Sequence, residues 1–115
     1  LLIGKVTRMN QIIHYLTPNG DDLYQQWLER LKDRTAKARI TMRINRVAAH
    51  AFGDCKPVGR GVWELRVDHG PGYRVYYAQA GKHLVLLLLG GDKRGQQADI
   101  NQAIECWADY QRRKP

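Results

Sequence analysis

Two cysteines in 115 residues rule out the disulfide framework on which small secreted folds depend. Cys55 and Cys106 are far apart, form no CxxC pair and match no metal-ligand spacing, so no metal and no other cofactor is expected. Long apolar runs are missing too. The longest, Leu84 to Leu89, falls well short of the ~18 residues that a membrane-spanning helix needs, and residues 1 to 8 hold no signal-peptide core. A soluble, cytoplasmic protein without membrane contact is expected. Repeats, low-complexity tracts and linkers are also lacking. With a length near the modal domain size, this predicts one domain over residues 1–115. Residues 1 to 8 precede Met9 and are expected to be foreign or upstream of the natural start. Acidic residues are in deficit: 11 Asp+Glu against 19 Lys+Arg leave a formal charge of +8 and a pI near 9.8. Such a surplus suits a polyanion or an acidic protein partner, or serves solubility alone.

What is present is clear periodicity. "NQIIHYLT" is rich in β-formers and is stopped by "PNGD", which predicts a first strand. "DDLYQQWLERLKD" offers Asp21 or Asp22 as N-cap and Leu23, Trp27 and Leu31 at helical spacing. "RTAKARITMRINRVAAHAF" predicts a second helix with Ile40, Ile44, Val47 and Ala51 on one stripe. Arg39, Arg43, Arg46 and His50 form a basic shoulder beside it, and Gly53 supplies the stop. That shoulder is either a solvated face or a contact for RNA.

From Gly61 the period changes to two. "VWELRVD" and "YRVYYA" alternate across the turn "HGPG", which predicts a hairpin. With the Trp63 and Tyr73 sets turned to the helices, Glu64, Arg66, Arg74 and Tyr76 gather on the opposite, open face. "LVLLLL" reads as a central strand covered on both sides. Ile100, Ala103, Ile104, Trp107 and Tyr110 predict a C-terminal helix. The fold class is therefore α+β, in the order β-α-α-β-β-β-α: an antiparallel sheet with an N-terminal helical hairpin and a C-terminal helix.

"KPVGRGVWELRVDHGPGYRVYY" followed by "LLLLGGDKRGQQADINQA" resembles the RelE/ParE toxin superfamily, in its HigB-like branch of addiction-module killer proteins. The likeness runs from about residue 10 to residue 110. It implies the toxin of a type II toxin–antitoxin pair, in many relatives an endoribonuclease that cuts mRNA on the ribosome without a metal. It also implies a helix-turn-helix, HigA-like antitoxin and a toxin–antitoxin hetero-oligomer. Cleavage by the ribose 2′-hydroxyl needs charge stabilisation, a proton acceptor and a proton donor.

By position in the motif, Arg74 of "GYR" matches the phosphate-binding arginine, and Lys93 or Arg94 of "DKR" the cation after the central strand. Gly90 and Gly91 would give that strand a sharp exit. Arg66 is a third candidate contact, or else a partner of Glu64 or Asp68. Lys56 and Arg60 join Arg39, Arg43 and Arg46 as candidate RNA contacts, and Asp92 caps the last helix or orients Lys93. RelE itself carries lysines where this chain has "VWEL" and a tyrosine where it has Ile100. Glu64, Tyr76, His69, Asp92 and His83 are left to fill the acid–base roles. A ParE-like inhibitor of DNA gyrase and a plain RNA-binding module remain as alternatives.

Overall fold

The computed structural model describes residues 8–113. The expectation for residues 1 to 8 therefore falls, apart from Arg8, outside the described residues. The backbone is a five-stranded sheet in the order β1-β5-β4-β3-β2. Its strands are β1 (Gln11–His14), β2 (Cys55–Gly59), β3 (Val62–Val67), β4 (Tyr73–Gly81) and β5 (Leu84–Asp92). The helices are α1 (Leu23–Arg30), α2 (Arg34–Ala48) and α3 (Gln96–Arg113), the last entered through a 3₁₀ turn at Lys93–Gly95.

The sheet differs from the expectation in two respects. β1 runs parallel to β5, so the sheet is mixed, and β2 is a strand that period-two reading passes over. "CKPVG" contains Pro57, which cannot donate to a ladder. It is tolerated because β2 pairs only with β3 and leaves its other side free.

Both early helices begin where an aspartate can accept from the first free amides. Asp22 accepts from Gln25 N–H at 3.0 Å and Asp33 from Ala36 N–H at 3.1 Å. α2 stops earlier than Gly53. His50 takes the left-handed conformation (φ 65°), its N–H donates to the Val47 carbonyl, and Ala51 N–H reaches back to that of Arg46. This is a Schellman ending with histidine where glycine is usual.

The two faces of the sheet bury two cores. On one, Ile40, Ile44 and Val47 of α2 and Tyr24 of α1 meet Leu65, Val75, Tyr77 and Leu87. On the other, Ala103 and Cys106 of α3 meet Val62, Tyr76, Ala78, Leu86 and Leu88. β5 thus feeds both cores in alternation, as its unbroken apolar run predicts. Leu86, Leu87 and Leu88 are wholly inaccessible, each worth roughly 1.5–3 kcal/mol of burial. Truncating one to alanine would cost about 2–5 kcal/mol, depending on how far the cavity collapses. Because α3 lies on the face expected to be open, that face is free only at its Arg66–Arg74 end.

Candidate functional site

Arg66 and Arg74 are directly opposed across β3 and β4. Like charges in that relation repel, so something must hold them. That group is Glu64, two cross-strand pairs further along the ladder, hence on the same face, and wholly inaccessible. Its Oε1 accepts from Arg66 Nε at 3.0 Å, and its Oε2 accepts from Tyr76 Oη at 3.0 Å and Gln96 Nε2 at 2.9 Å. Arg74 Nε lies 3.6 Å from the same Oε2, within ion-pair range but without a formed hydrogen bond. Burial pushes the Glu64 carboxyl upward, but the bonds from Arg66, Gln96 and Tyr76 and the Arg74 charge outweigh it and hold the group below the usual glutamate range. Tyr76 moves the other way, raised by burial and then by the Glu64 charge. Both are enclosed, so Glu64 serves as an anchor for two arginines and neither group opens onto solvent.

Arg74 is 12% exposed at its side chain, and its Nη1 donates to the Gly72 carbonyl at 3.4 Å. The same carbonyl accepts from the Lys93 N–H at 2.9 Å, which ties the loop before β4 to the exit of β5. Arg66, Arg74 and Lys93 therefore line one cleft of about 270 Å³, with Gly72 at its wall and Asp54 and Asp68 also lining it. Three of the sequence-derived site residues are thus brought together.

Arg94 is not among them. It is 82% exposed, and its guanidinium folds back on Asp92 at 2.8 Å. Asp92 also accepts from the Arg94 N–H, so it caps the 3₁₀ turn that leads into α3 and not α3 itself. The hydrogen bond from Arg94 holds the Asp92 carboxyl low. Gly90 and Gly91 do not mark a sharp exit, because β5 continues through Asp92. They make room: a Cβ on Gly90 would lie 2.2 Å from the Trp27 ring, and one on Gly91 would lie 2.0 Å from Asp99 Oδ2.

The remaining candidates lie elsewhere. Arg39 and Arg46 are exposed on α2. Arg43 between them donates to the carbonyls of Phe52, Asp54 and Arg66, a structural tie that fastens the segment before β2. Lys56 and Arg60 are exposed on β2 and in the turn after it, outside the cleft. His69 pairs with Asp33 Oδ2 at 3.0 Å. His83 lies in the β4–β5 turn beside His50, at the far end of β4 from Arg74, and burial followed by neighbouring cations lowers its pKa.

Sequence reasoning missed two residues here. Gln96 completes the Glu64 shell. Asp99, in the first turn of α3, packs its carboxylate onto Gly91 and is raised by burial and by the Asp92 charge. Only Gly91 signalled that close approach. Among the described residues, no three His, Cys, Asp or Glu side chains converge as a metal-ligand set. No helix among the described residues is long and apolar enough to cross a membrane.

Fold and cleft define a small α+β protein with a cleft lined by three cations at one end of a mixed sheet. A family model described as "Phage derived protein Gp49-like (DUF891)" matches residues 26–105, a span that includes Glu64, Arg66, Arg74 and Lys93, and the chain belongs to this Gp49-like family. It is also similar to an uncharacterized protein of Haemophilus influenzae, 50% identical over 80 residues, which cover 70% of this chain and 81% of the relative.

Proposed function

We propose that this protein is the toxin of a type II toxin–antitoxin pair and acts as an endoribonuclease on mRNA at the ribosome. The observation that carries this reading is the convergence of Arg66, Arg74 and Lys93 on one cleft over the buried Glu64 anchor. The Gp49-like family and the likeness to addiction-module killer proteins support the toxin class.

In this reading a backbone phosphate sits in the cleft. The guanidinium of Arg74 is fixed from behind by Glu64 and Gly72, so its planar fork meets two phosphate oxygens with little reorganisation. Arg66 and Lys93 add charge where it builds up as the 2′-hydroxyl attacks phosphorus. Asp54 and Asp68, lining the same cleft, are the carboxylates proposed to accept the hydroxyl proton; a 2′,3′-cyclic phosphate forms as the bond from phosphorus to the 5′ oxygen breaks, and that oxygen takes its proton from water. A cognate helix-turn-helix antitoxin, acidic where it touches the basic surface, would neutralise the toxin, and the pair would form a hetero-oligomer.

Induction of residues 9 to 115 without antitoxin should arrest bacterial growth, and primer extension on cellular mRNA should reveal new 5′ ends. Normal growth with soluble protein accumulating would overturn the toxin reading. Arrest without cuts, together with loss of supercoiling in a gyrase assay, would replace the nuclease with a gyrase inhibitor.

A further inference from the structure

On the α1–α2 face, the helices stop short of the β2 edge, and three rings stand together there. Trp63 and Tyr77 are cross-strand partners with centroids 6.4 Å apart and planes 20° apart. Phe52 lies 5.8 Å from Tyr77 with a tilt of 31°. The rings line an apolar cleft of about 330 Å³, and Trp63 is left 37% exposed. α2 runs beside this cleft. The five cations of α2, Arg34, Lys37, Arg39, Arg43 and Arg46, are accompanied by no acid, and Arg43 holds the Phe52 carbonyl. Arg39, Arg43 and Arg46 line a common groove.

We propose that this surface binds single-stranded RNA, stacking a base on Trp63, whose ring is backed by the buried Tyr77, and holding the adjoining phosphates on Arg39 and Arg46. The proposal rests on the reading that the substrate is RNA, and it adds a second site to the Arg74 cleft. An aromatic platform beside a row of cations is what a single strand needs, since it brings flat rings and evenly spaced negative charge together. The Trp63 ring lies nearly parallel to the buried Tyr77 behind it and stays partly exposed, which suits a planar group. An acidic peptide would bring branched aliphatic side chains, which pack better in a socket. The two sites can act on one strand. Segment 52–54 borders both, with Phe52 in the aromatic cleft and Asp54 in the cationic one. β2 is a sheet edge with no strand beyond it among the described residues, so a chain can pass from one face to the other there.

The test is fluorescence anisotropy with the full chain and a 2′-O-methyl RNA of about 12 nucleotides, which cannot undergo 2′-hydroxyl attack, beside an abasic strand of equal length and charge. Trp63→Leu should weaken the base-bearing strand on the order of tenfold and leave the abasic strand unchanged. Trp63→Phe should restore binding to within about threefold, and melting curves on both variants exclude a folding defect. The double variant Arg39→Glu with Arg46→Glu should weaken both strands and flatten the salt dependence. Unchanged affinity of Trp63→Leu for the base-bearing strand would overturn the proposal. If that variant binds RNA normally but no longer co-purifies with its antitoxin, the surface is a protein-docking site instead. Failure of mRNA cleavage in cells with RNA binding as described would remove the nuclease reading alone. Intact cleavage with Trp63-independent binding would remove this proposal alone.

Discussion

Replacing Glu64 by alanine should cost about 3 kcal/mol, the lower end of the range for breaking a buried ion pair. The lower end applies because Glu64, although wholly inaccessible, is covered only by the arginines and the first turn of α3. The loss would strip Arg66, Tyr76 and Gln96 of their acceptor and leave two opposed guanidinium groups uncompensated. For a domain of this size the melting temperature should fall by roughly 10–15 °C. Glu64→Gln keeps the shape but not the charge, and should fall between alanine and wild type. The pH dependence gives a second readout. The folded-state pKa of Glu64 is depressed, so its stabilisation is complete above the ordinary glutamate value of about 4.3 and is lost as pH falls through the lower folded value. Glu64→Gln should therefore show a shallower acid limb. It should not be flat, because Asp33, Asp92 and Asp109 are depressed as well. Thermal melts between pH 2 and 7 on the three proteins test this. A Glu64→Ala protein that melts within about 3 °C of wild type would refute the anchoring argument.

Gly91→Ala would set a methyl 2.0 Å from Asp99 Oδ2 and should destabilise by about 3 kcal/mol in urea unfolding, whereas Gly20→Ala, with an open Cβ position but a φ of 84°, should cost only its backbone strain. Arg43→Ala removes donors to three carbonyls; it should lose about 2 kcal/mol and raise hydrogen exchange across residues 52–54. Tyr15 is pushed up to about 12 by burial and then by its bond to Asp109, so Asp109→Asn should lower the pH at which its phenolate absorbance appears. Lys93→Ala should melt like wild type yet cut mRNA at least tenfold more slowly, while Arg74→Lys should lose on the order of 10² to 10³ in rate by discarding the fork.

Much of the fold was legible because it rests on local chemistry. The aspartate caps, the alternation of β3 and β4 and the two-sided burial of β5 each follow from a few neighbouring residues. β2 was not legible, since a five-residue edge strand with a proline carries no periodic signal. The end of α2 was missed because His50 adopts a conformation that is usually left to glycine. The site was legible in its cations and misread in its carboxylates. Alternation put Glu64, Arg66, Arg74 and Tyr76 on one face correctly, but it cannot say that α3 folds over half of that face. Burial turns Glu64 from a candidate acid into a fixed counter-charge. It likewise makes Arg74 mostly enclosed, where alternation alone placed it on an open face. Arg43 looked like its neighbours Arg39 and Arg46, and only tertiary contact separates a backbone tie from two free cations.

The enclosure of Arg74 decides how variants at the site should be read. Arg74→Ala removes a charge that helps keep Glu64 ionised in the interior, so stability and activity fall together and a loss of toxicity would not isolate a catalytic role. Lys93 stands differently. It is exposed, its side chain makes no hydrogen bond among the described residues, and only its backbone N–H is committed, to Gly72. Alanine at position 93 keeps that bond, so any loss of cleavage there reports the missing charge. The cleft thus joins one cation held against a buried carboxylate to one whose side chain is exposed and makes no hydrogen bond among the described residues. In the proposed nuclease, fixed geometry at Arg74 would serve a transition state whose charge appears at a defined place, since a preorganised donor need not reorient as the reaction proceeds. In the same proposal the exposed ammonium of Lys93 would serve the earlier step, capture of a flexible strand, where precise direction matters less than reach.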